Sequence, residues 1–162
     1  MDFHERILHI LSDIPDPEIP VITIVELGVI RDVKDLGNGG IEVSITPTYS
    51  GCPAMKQMED DVVAKLKENG FKDVRVKMVY SPAWTSDWLT TEAKRKLQEY
   101  GIAPPEESTS DKSFITGKHK AVTCPRCKSK NTVLVSQFGS TACKALYKCN
   151  DCLESFDYFK CI

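Results

Sequence analysis

The stretch IEVSITPTYSGCPAMKQMEDDVVAKLKENGFKDVRVKMVY, residues 41–80, decides the fold of this chain. Residues 41–46 alternate apolar and polar side chains, a pattern that predicts a β-strand. Residues 53–69 repeat apolar side chains at helical spacing up to an Asn-Gly pair, and residues 74–80 return to a strand pattern. A strand, a helix and a strand in this order predict a right-handed crossover between parallel neighbours.

The flanking segments add two helices and one strand. Apolar residues recur at helical spacing over residues 2–14, and the three prolines that follow stop this helix. Residues 28–34 predict a strand that the turn DLGNGG joins to the next strand as a hairpin, and residues 87–100 predict a last helix. The predicted fold class is therefore α+β, with a small mixed three-stranded sheet packed with helices, followed by a C-terminal zinc ribbon that is argued below.

A change in composition divides the chain into two modules. Residues 101–117, GIAPPEESTSDKSFITG, lack apolar periodicity and predict a linker. Residues 1–117 carry a net charge of −7 and residues 118–162 a net charge of +5, and opposite signs are typical of separate modules. We predict a domain over residues 1–100, a linker over 101–117 and a second module over 118–162.

The second module contains two CxxC pairs, Cys124-Pro-Arg-Cys127 and Cys149-Asn-Asp-Cys152, with 21 residues between them. Two thiolates of one tight turn reach the same ion, and two such turns complete a tetrahedron around zinc. A module of about 45 residues buries too little core to fold alone, so the metal would supply much of its folding energy. We predict structural Zn²⁺ on these four cysteines, because four thiolates leave no open position for catalysis.

Other chemistry at the same sulfurs is less well supported. Redox chemistry does not explain two matched pairs at ribbon spacing. Rubredoxin-like iron would bind the same four sulfurs, but glycines usually follow the second cysteine of such turns, whereas Lys128 and Leu153 stand here. Zinc is therefore the predicted ion.

Two further cysteines and several aromatic residues belong to this module. Cys143 and Cys161 are either small buried hydrophobes or ligands of a second, partly open metal site. Aromatic residues with positive charge would also suit a nucleic-acid binder. However, four thiolates with Zn²⁺ add about −2 of charge, and the whole chain is acidic at −2. The aromatic side chains are thus predicted to cover the small core, and no nucleic-acid partner is expected.

Cys52 stands alone in the first module, between Gly51 and Pro53. Proline suits the first position of a helix, so Cys52 is predicted to be the N-cap, where free N–H groups and the helix dipole lower the pKa of a thiol. The alternative is a thiol merely packed under the loop. The stiff loop DPEIP can hold two carboxylates, those of Asp16 and Glu18, at fixed positions. The alternative is that the loop is a solvated turn without a functional role.

Composition argues against membrane and secreted classes. Hydrophobic content of 41% and charged content of 27% are typical of a globular protein, and no apolar run reaches the roughly 18 residues that span a bilayer. The N-terminus MDFHERILHI lacks the pattern of a secretory signal. We expect a cytoplasmic protein without a membrane partner, in which seven cysteines indicate metal or thiol chemistry rather than disulfides.

DPEIPVITIVELGVI and TPTYSGCPAM together resemble the SufT-like family of iron–sulfur assembly factors over residues 1–100. With FGSTACKALYKC and the terminal YFKC, nearly the whole chain resembles the D-subunit family of bacterial phenylacetyl-CoA epoxidase (ring 1,2-epoxidase) systems. The resemblance implies an accessory protein of aerobic phenylacetate degradation, not itself catalytic, that helps assemble or maintain an iron–sulfur or iron centre of the epoxidase complex. It transfers functional roles to Asp16, Glu18 and Cys52, with Cys143 and Cys161 as auxiliary ligands.

The resemblance also implies partners and cargo. The partners are the di-iron oxygenase subunits and a ferredoxin-type reductase with a [2Fe–2S] cluster, and the cargo is transiently bound iron or an iron–sulfur cluster. Two alternatives stay open, namely a structural component of the oxygenase complex that handles no metal, and a protein that uses Cys52 in thiol redox exchange. The open edges of a three-stranded sheet allow a homodimer as well.

Overall fold

The structure is a computed structural model of the chain and describes residues 1–49, 51–105 and 121–159. None of the helices in these ranges is long and apolar enough to cross a membrane. The regular elements, in chain order, are α1 (Phe3–Leu11), β1 (Ile30–Gly37), β2 (Gly40–Ile45), α2 (Ala54–Glu68), β3 (Asp73–Met78), a 3-10 turn (Ser86–Trp88), α3 (Thr91–Tyr100), β4 (Ile102–Ala103), β5 (Thr132–Ser136), β6 (Lys144–Cys149) and β7 (Ser155–Phe159).

The first sheet has the strand order β1-β2-β3. β1 and β2 form an antiparallel hairpin, and β2 and β3 are parallel neighbours joined through α2. This mixed three-stranded sheet confirms the predicted fold class. The apolar face of β2 is fully covered, with Ile41, Val43 and Ile45 at most 1% exposed. Removing that much apolar surface from water provides the main driving force for this part of the fold.

The two helices of the first part present their apolar sides to the core. Ile7 and Leu11 of α1, and Val62 and Leu66 of α2, are fully buried. Asp2 starts α1 with a capping box, since its Oδ1 accepts from the Glu5 N–H at 2.8 Å and its own N–H donates to Glu5 Oε2 at 3.1 Å. The helix ends three residues before the predicted end at residue 14.

The second sheet has the order β4-β7-β6-β5 and is antiparallel except for the β4–β7 pair. Tyr147 lies in its core, stacked on Phe156 with ring centroids 6.0 Å apart and edge-on to Tyr158 at 5.5 Å. The core position of these aromatic residues agrees with the prediction, which is wrong for Phe138, because this side chain lies beyond the end of β5 and is 66% exposed. Short apolar stretches in the sequence, VLVSQF (residues 133–138) and ALYKC (residues 145–149), correspond to β5 and β6, whereas no such stretch marks β4 and β7.

Contacts between residues group the chain into two compact units, Met1–Trp84 and Thr85–Ile162. In this grouping α3 goes with the second unit, although the sequence predicted it within the first domain. β4 pairs with β7, so the predicted linker opens with a short strand, and residues 106–117 lie outside the described ranges. The boundaries 1–100, 101–117 and 118–162 stay a prediction.

Candidate functional site

Four cysteine sulfurs meet beside the second sheet. Cys124 and Cys127 belong to one turn, and Cys149 and Cys152 to another that follows β6. The four Sγ atoms lie within 4.8 Å of one another, with 3.7 Å between Cys124 and Cys152 and 3.5 Å between Cys127 and Cys149. Zn–S bonds of about 2.3 Å place tetrahedral sulfurs about 3.8 Å apart. The donor set therefore fits a structural zinc ion with little rearrangement.

The two cysteine turns have the same backbone geometry. The Cys124 N–H donates to the Ser129 carbonyl at 2.8 Å, and the Cys149 N–H donates to the Glu154 carbonyl at 2.9 Å. Lys128 and Leu153, which follow the second cysteine of each turn, both have a φ of 65°. Left-handed backbone costs a non-glycine residue about 1–2 kcal/mol, so each turn is held by the rest of the site.

Backbone amides prepare the sulfurs of this cluster for a cation. Donation from the Cys152 N–H is the largest influence on the Cys149 thiol and helps to lower its pKa to about 7. The Glu154 N–H donates to Cys152 in the same way, but burial and the neighbouring sulfurs raise the pKa of Cys152 to about 12, so a single thiol of the cluster ionises first. A thiolate is the form that binds zinc. Four thiolates would fill the coordination sphere and leave no position for a substrate, which supports a structural role for the ion.

Cys52 does not occupy the predicted N-cap position. α2 begins at Ala54 and its N-cap is Pro53, so Cys52 precedes the cap by one residue. Its side chain is only 8% exposed. Burial raises the pKa of the Cys52 thiol, donation from the Ala54 N–H and the Tyr49 hydroxyl opposes that rise, and the negative charges of Glu18 and Asp16 add to it. The prediction of a lowered pKa is therefore wrong, because desolvation outweighs the amide and dipole effects at this distance from the helix.

The structure nevertheless brings the predicted thiol and carboxylates close together. The Tyr49 hydroxyl hydrogen-bonds the Cys52 sulfur and also lies 3.3 Å from Glu18 Oε1, to which it donates. Gly51, at a φ of +77°, turns the chain between Tyr49 and Cys52, where the Cys52 N–H donates to the Tyr49 carbonyl at 3.3 Å. Sequence reasoning missed Tyr49, although it lies within the quoted motif TPTYSGCPAM.

Asp16 and Glu18 have different local roles. Asp16 is 4% exposed, and its Oδ1 accepts from the Glu18 N–H at 2.9 Å and from the Ile19 N–H at 2.7 Å. Its carboxylate therefore holds the DPEIP turn in shape. Glu18 is half-buried and directs its carboxylate towards Tyr49. Of these two acids, Glu18 is the one whose carboxylate is linked to Cys52 through the Tyr49 hydroxyl.

Among the described residues, the four-cysteine cluster is the only group of three or more His, Cys, Asp or Glu side chains close enough to share an ion. Cys52, Asp16 and Glu18 do not form such a ready ligand set. Cys143 is buried just before β6, with its Sγ 3.0 Å from Thr141 Oγ1, and lies outside the cluster. Cys161 lies outside the described residues.

Two protein families match separate parts of the chain. An iron-sulfur cluster assembly protein family matches residues 4–78, and the PaaD zinc beta ribbon domain matches residues 108–160. The Fe-S protein maturation auxiliary factor YitW of Bacillus subtilis is 37% identical over 57% of this chain and 91% of its own length. A crystal structure of a domain of unknown function, DUF59, from Bacillus anthracis superimposes with a TM-score of 0.55, at 30% identity over 59% of this chain and 91% of that one.

One relative matches both parts of the chain. A protein of Escherichia coli K12, described as the D component of 1,2-phenylacetyl-CoA epoxidase, is 50% identical over 94% of this chain and 90% of its own length. This match includes the cysteine turns of the ribbon as well as the segment around Cys52. On this evidence the chain belongs to the family of 1,2-phenylacetyl-CoA epoxidase D subunits.

Proposed function

We propose that this protein is an accessory component that helps assemble or maintain an iron–sulfur or iron centre of the phenylacetyl-CoA epoxidase complex. One observation carries the proposal: the Cys52 thiol, the Tyr49 hydroxyl and the Glu18 carboxylate are linked by hydrogen bonds within the segment that matches iron-sulfur assembly proteins. Sulfur gives affinity for iron, and a carboxylate oxygen is a second donor of the kind that iron accepts.

The raised pKa of Cys52 shapes how such a site would work. At neutral pH the thiol keeps its proton, so the chain does not hold a standing thiolate. A metal cargo binds by displacing that proton; the Ala54 N–H already donates towards the sulfur that becomes charged, and the Tyr49 hydroxyl can turn to it from Glu18. One thiol and one nearby carboxylate occupy only some of the coordination positions of the ion, and the client protein would supply the remaining ligands. Weak, incomplete ligation suits delivery rather than storage.

The raised pKa of Cys52 also counts against a thiol redox enzyme. Nucleophilic attack on a disulfide requires the thiolate, and a raised pKa makes this form scarce at neutral pH. No described cysteine outside the zinc cluster is shown as its resolving partner. The alternative of a purely structural component makes a different forecast: stoichiometric co-purification with the oxygenase, with no change in metal content when Cys52 is replaced.

The test compares Cys52→Ser with Cys143→Ser, a matched change at a second buried cysteine that lies outside the zinc cluster and to which this proposal, unlike the resemblance, assigns no ligand role. Each variant is produced together with the oxygenase and reductase components under anaerobic conditions. Iron in the oxygenase and the absorption of the reductase [2Fe–2S] cluster are then measured per polypeptide. We expect under-loaded components with Cys52→Ser and full loading with Cys143→Ser. Full loading with both variants, each with one zinc per chain as evidence of folding, would refute the proposal.

A further inference from the structure

Within the described part of the chain, the second sheet has one edge strand, β5, that lacks the usual protection against pairing. Native edge strands are usually short, charged or covered, because their free N–H and C=O groups otherwise recruit another strand. The edges of the first sheet follow this rule, since β1 (IRDVKDLG) and β3 (DVRVKM) both carry charges of both signs. β4 has two residues and is followed by a Pro-Pro pair. β5 (TVLVS) has no charged residue, and the described residues include no strand on its outer side.

β5 also directs apolar side chains to solvent. Leu134 packs against the aromatic core, whereas its neighbours Val133 and Val135 face away and are 45% and 56% exposed. Phe138, two residues beyond the strand, is 66% exposed. Exposed apolar side chains next to a strand edge are a typical binding surface for an extended segment, in which backbone pairing gives affinity and alternate side chains give specificity.

The charges around β5 select the kind of partner. Between Cys124 and Cys149 the sequence has five Lys and Arg residues and no acidic residue. The charge of about −2 on a zinc-loaded four-thiolate cluster therefore leaves positive charge in excess. Lys148 is the cross-strand neighbour of Val133, and Lys130 lies just before the strand; both are exposed. Asp151, an acid at that end, accepts hydrogen bonds from the Ser129 hydroxyl and the Asn131 side chain. A second copy of this strand would bring further lysines to the same surface, whereas an acidic segment would complement it.

We propose that the β5 edge is a docking surface for an extended segment of another epoxidase component, apolar at alternate positions and flanked by acidic residues, which adds to the second sheet beside β5. The proposal depends on membership of the D-subunit family and not on metal handling at Cys52. The two ideas therefore fail separately.

The experiment measures binding of the full-length, zinc-loaded chain to the purified oxygenase and reductase components by biolayer interferometry. Val135→Lys places a charge on the edge strand. Leu153→Lys is the matched control, because Leu153 is also exposed (68%) and Lys128 already occupies the equivalent position of the other cysteine turn at the same φ. Lys148→Glu tests the charge, and Cys52→Ser tests independence from the thiol site. Hydrogen exchange of residues 132–136 with and without the bound component tests strand addition.

We expect one component to bind, with affinity at least about tenfold weaker for Val135→Lys, weaker for Lys148→Glu, and unchanged for Leu153→Lys and Cys52→Ser. Amides of residues 132–136 should exchange more slowly in the complex. Binding of neither component, or equal binding by wild type and Val135→Lys, would overturn the proposal. If the wild type self-associates and Val135→Lys abolishes this association, then the occupant of the β5 edge is a second copy of the chain and not an acidic segment. Loss of binding with Cys52→Ser would show that the component binds at the thiol site, which would contradict docking at β5.

Discussion

The Tyr49 hydroxyl donates a hydrogen bond to a Glu18 carboxylate oxygen 3.3 Å away, across 31 residues of sequence. The same hydroxyl contacts the Cys52 sulfur. A phenol has a single proton to donate, so thiol and carboxylate compete for it. When Cys52 becomes charged, the proton favours the sulfur, and Glu18 then loses a donor. Tyr49 therefore links the charge of the thiol to the availability of the carboxylate.

Replacing Tyr49 by Phe should raise the pKa of the Cys52 thiol further. The substitution removes a hydrogen bond that favours the thiolate and keeps the aromatic ring. Alkylation of the Cys52-containing peptide, followed by mass spectrometry across pH, would show a higher midpoint than in the wild type. Tyr80→Phe is the control, since Tyr80 is an exposed tyrosine of the same unit. An unchanged midpoint in Tyr49→Phe would show that the hydroxyl does not act on the sulfur.

The pKa of the Cys52 thiol in the wild type should be higher than that of an ordinary cysteine. Burial raises its pKa above the ordinary value of about 8.5. The thiolate fraction at Cys52, and with it the alkylation rate, should rise about tenfold per pH unit through neutrality and level off only above that value. Between the unfolded and folded pKa values the native state binds more protons, so the stabilising contribution of the neutral thiol is complete below the unfolded pKa and is lost as pH rises through this window. A midpoint at or below that of a denatured control would contradict the burial seen here.

Removal of zinc should unfold the second sheet and spare the first. The sulfur cluster joins the turns at both ends of the β5–β6 segment, and the core beneath it is small. With a strong chelator, hydrogen exchange of β5, β6 and β7 should approach that of an unfolded chain, while β2 and α2 stay protected. Chelator already saturated with zinc serves as the control. Protection of β6 that persists after metal removal, verified by elemental analysis, would show that zinc does not supply the folding energy.

Gly139→Ala should destabilise the zinc-loaded protein by about 1–3 kcal/mol, the usual cost of overpacking. An added Cβ would lie 2.6 Å from Asp157 Oδ1, where the Ser140 hydroxyl donates to the other carboxylate oxygen at 3.1 Å and the buried Lys144 ammonium lies 3.7 Å from it. Asp157→Ala removes the clashing oxygen. In that background Gly139→Ala should cost nothing or stabilise slightly, as a loop glycine replacement does. Equal costs in both backgrounds, measured by denaturant unfolding, would exclude this contact as the cause.

The sequence predicted the parts of the fold that depend on local pattern. Residues 53–69 gave α2 nearly to its ends, and the order of apolar segments gave the parallel β2–β3 pair. β4 and β7 escaped prediction because a two-residue strand and a short aromatic segment have too little periodicity of their own. Their pairing is determined by neighbours distant in sequence, which a local pattern does not contain.

The candidate site shows the same limit. Cysteine spacing was sufficient to predict the sulfur cluster, because two residues between ligands restrict geometry within one turn. The sequence was not sufficient to predict the environment of Cys52, since its burial depends on packing that only the folded chain defines. A one-residue shift of the cap from Cys52 to Pro53 accompanies the reversal of the expected pKa direction. Tyr49 was missed because its contact with Glu18 crosses two separate loops.

The pairing of Thr132 with Cys149 has a consequence for when the chain can work. The first residue of the edge strand β5 lies directly opposite a metal-binding cysteine, so the order of that edge depends on the ion. In a cell short of zinc, chains would accumulate in which β5 is unfolded although the residues of the proposed docking surface are unchanged. Under the two proposals made above, the supply of zinc would thus decide whether an accessory protein for iron centres can join its complex.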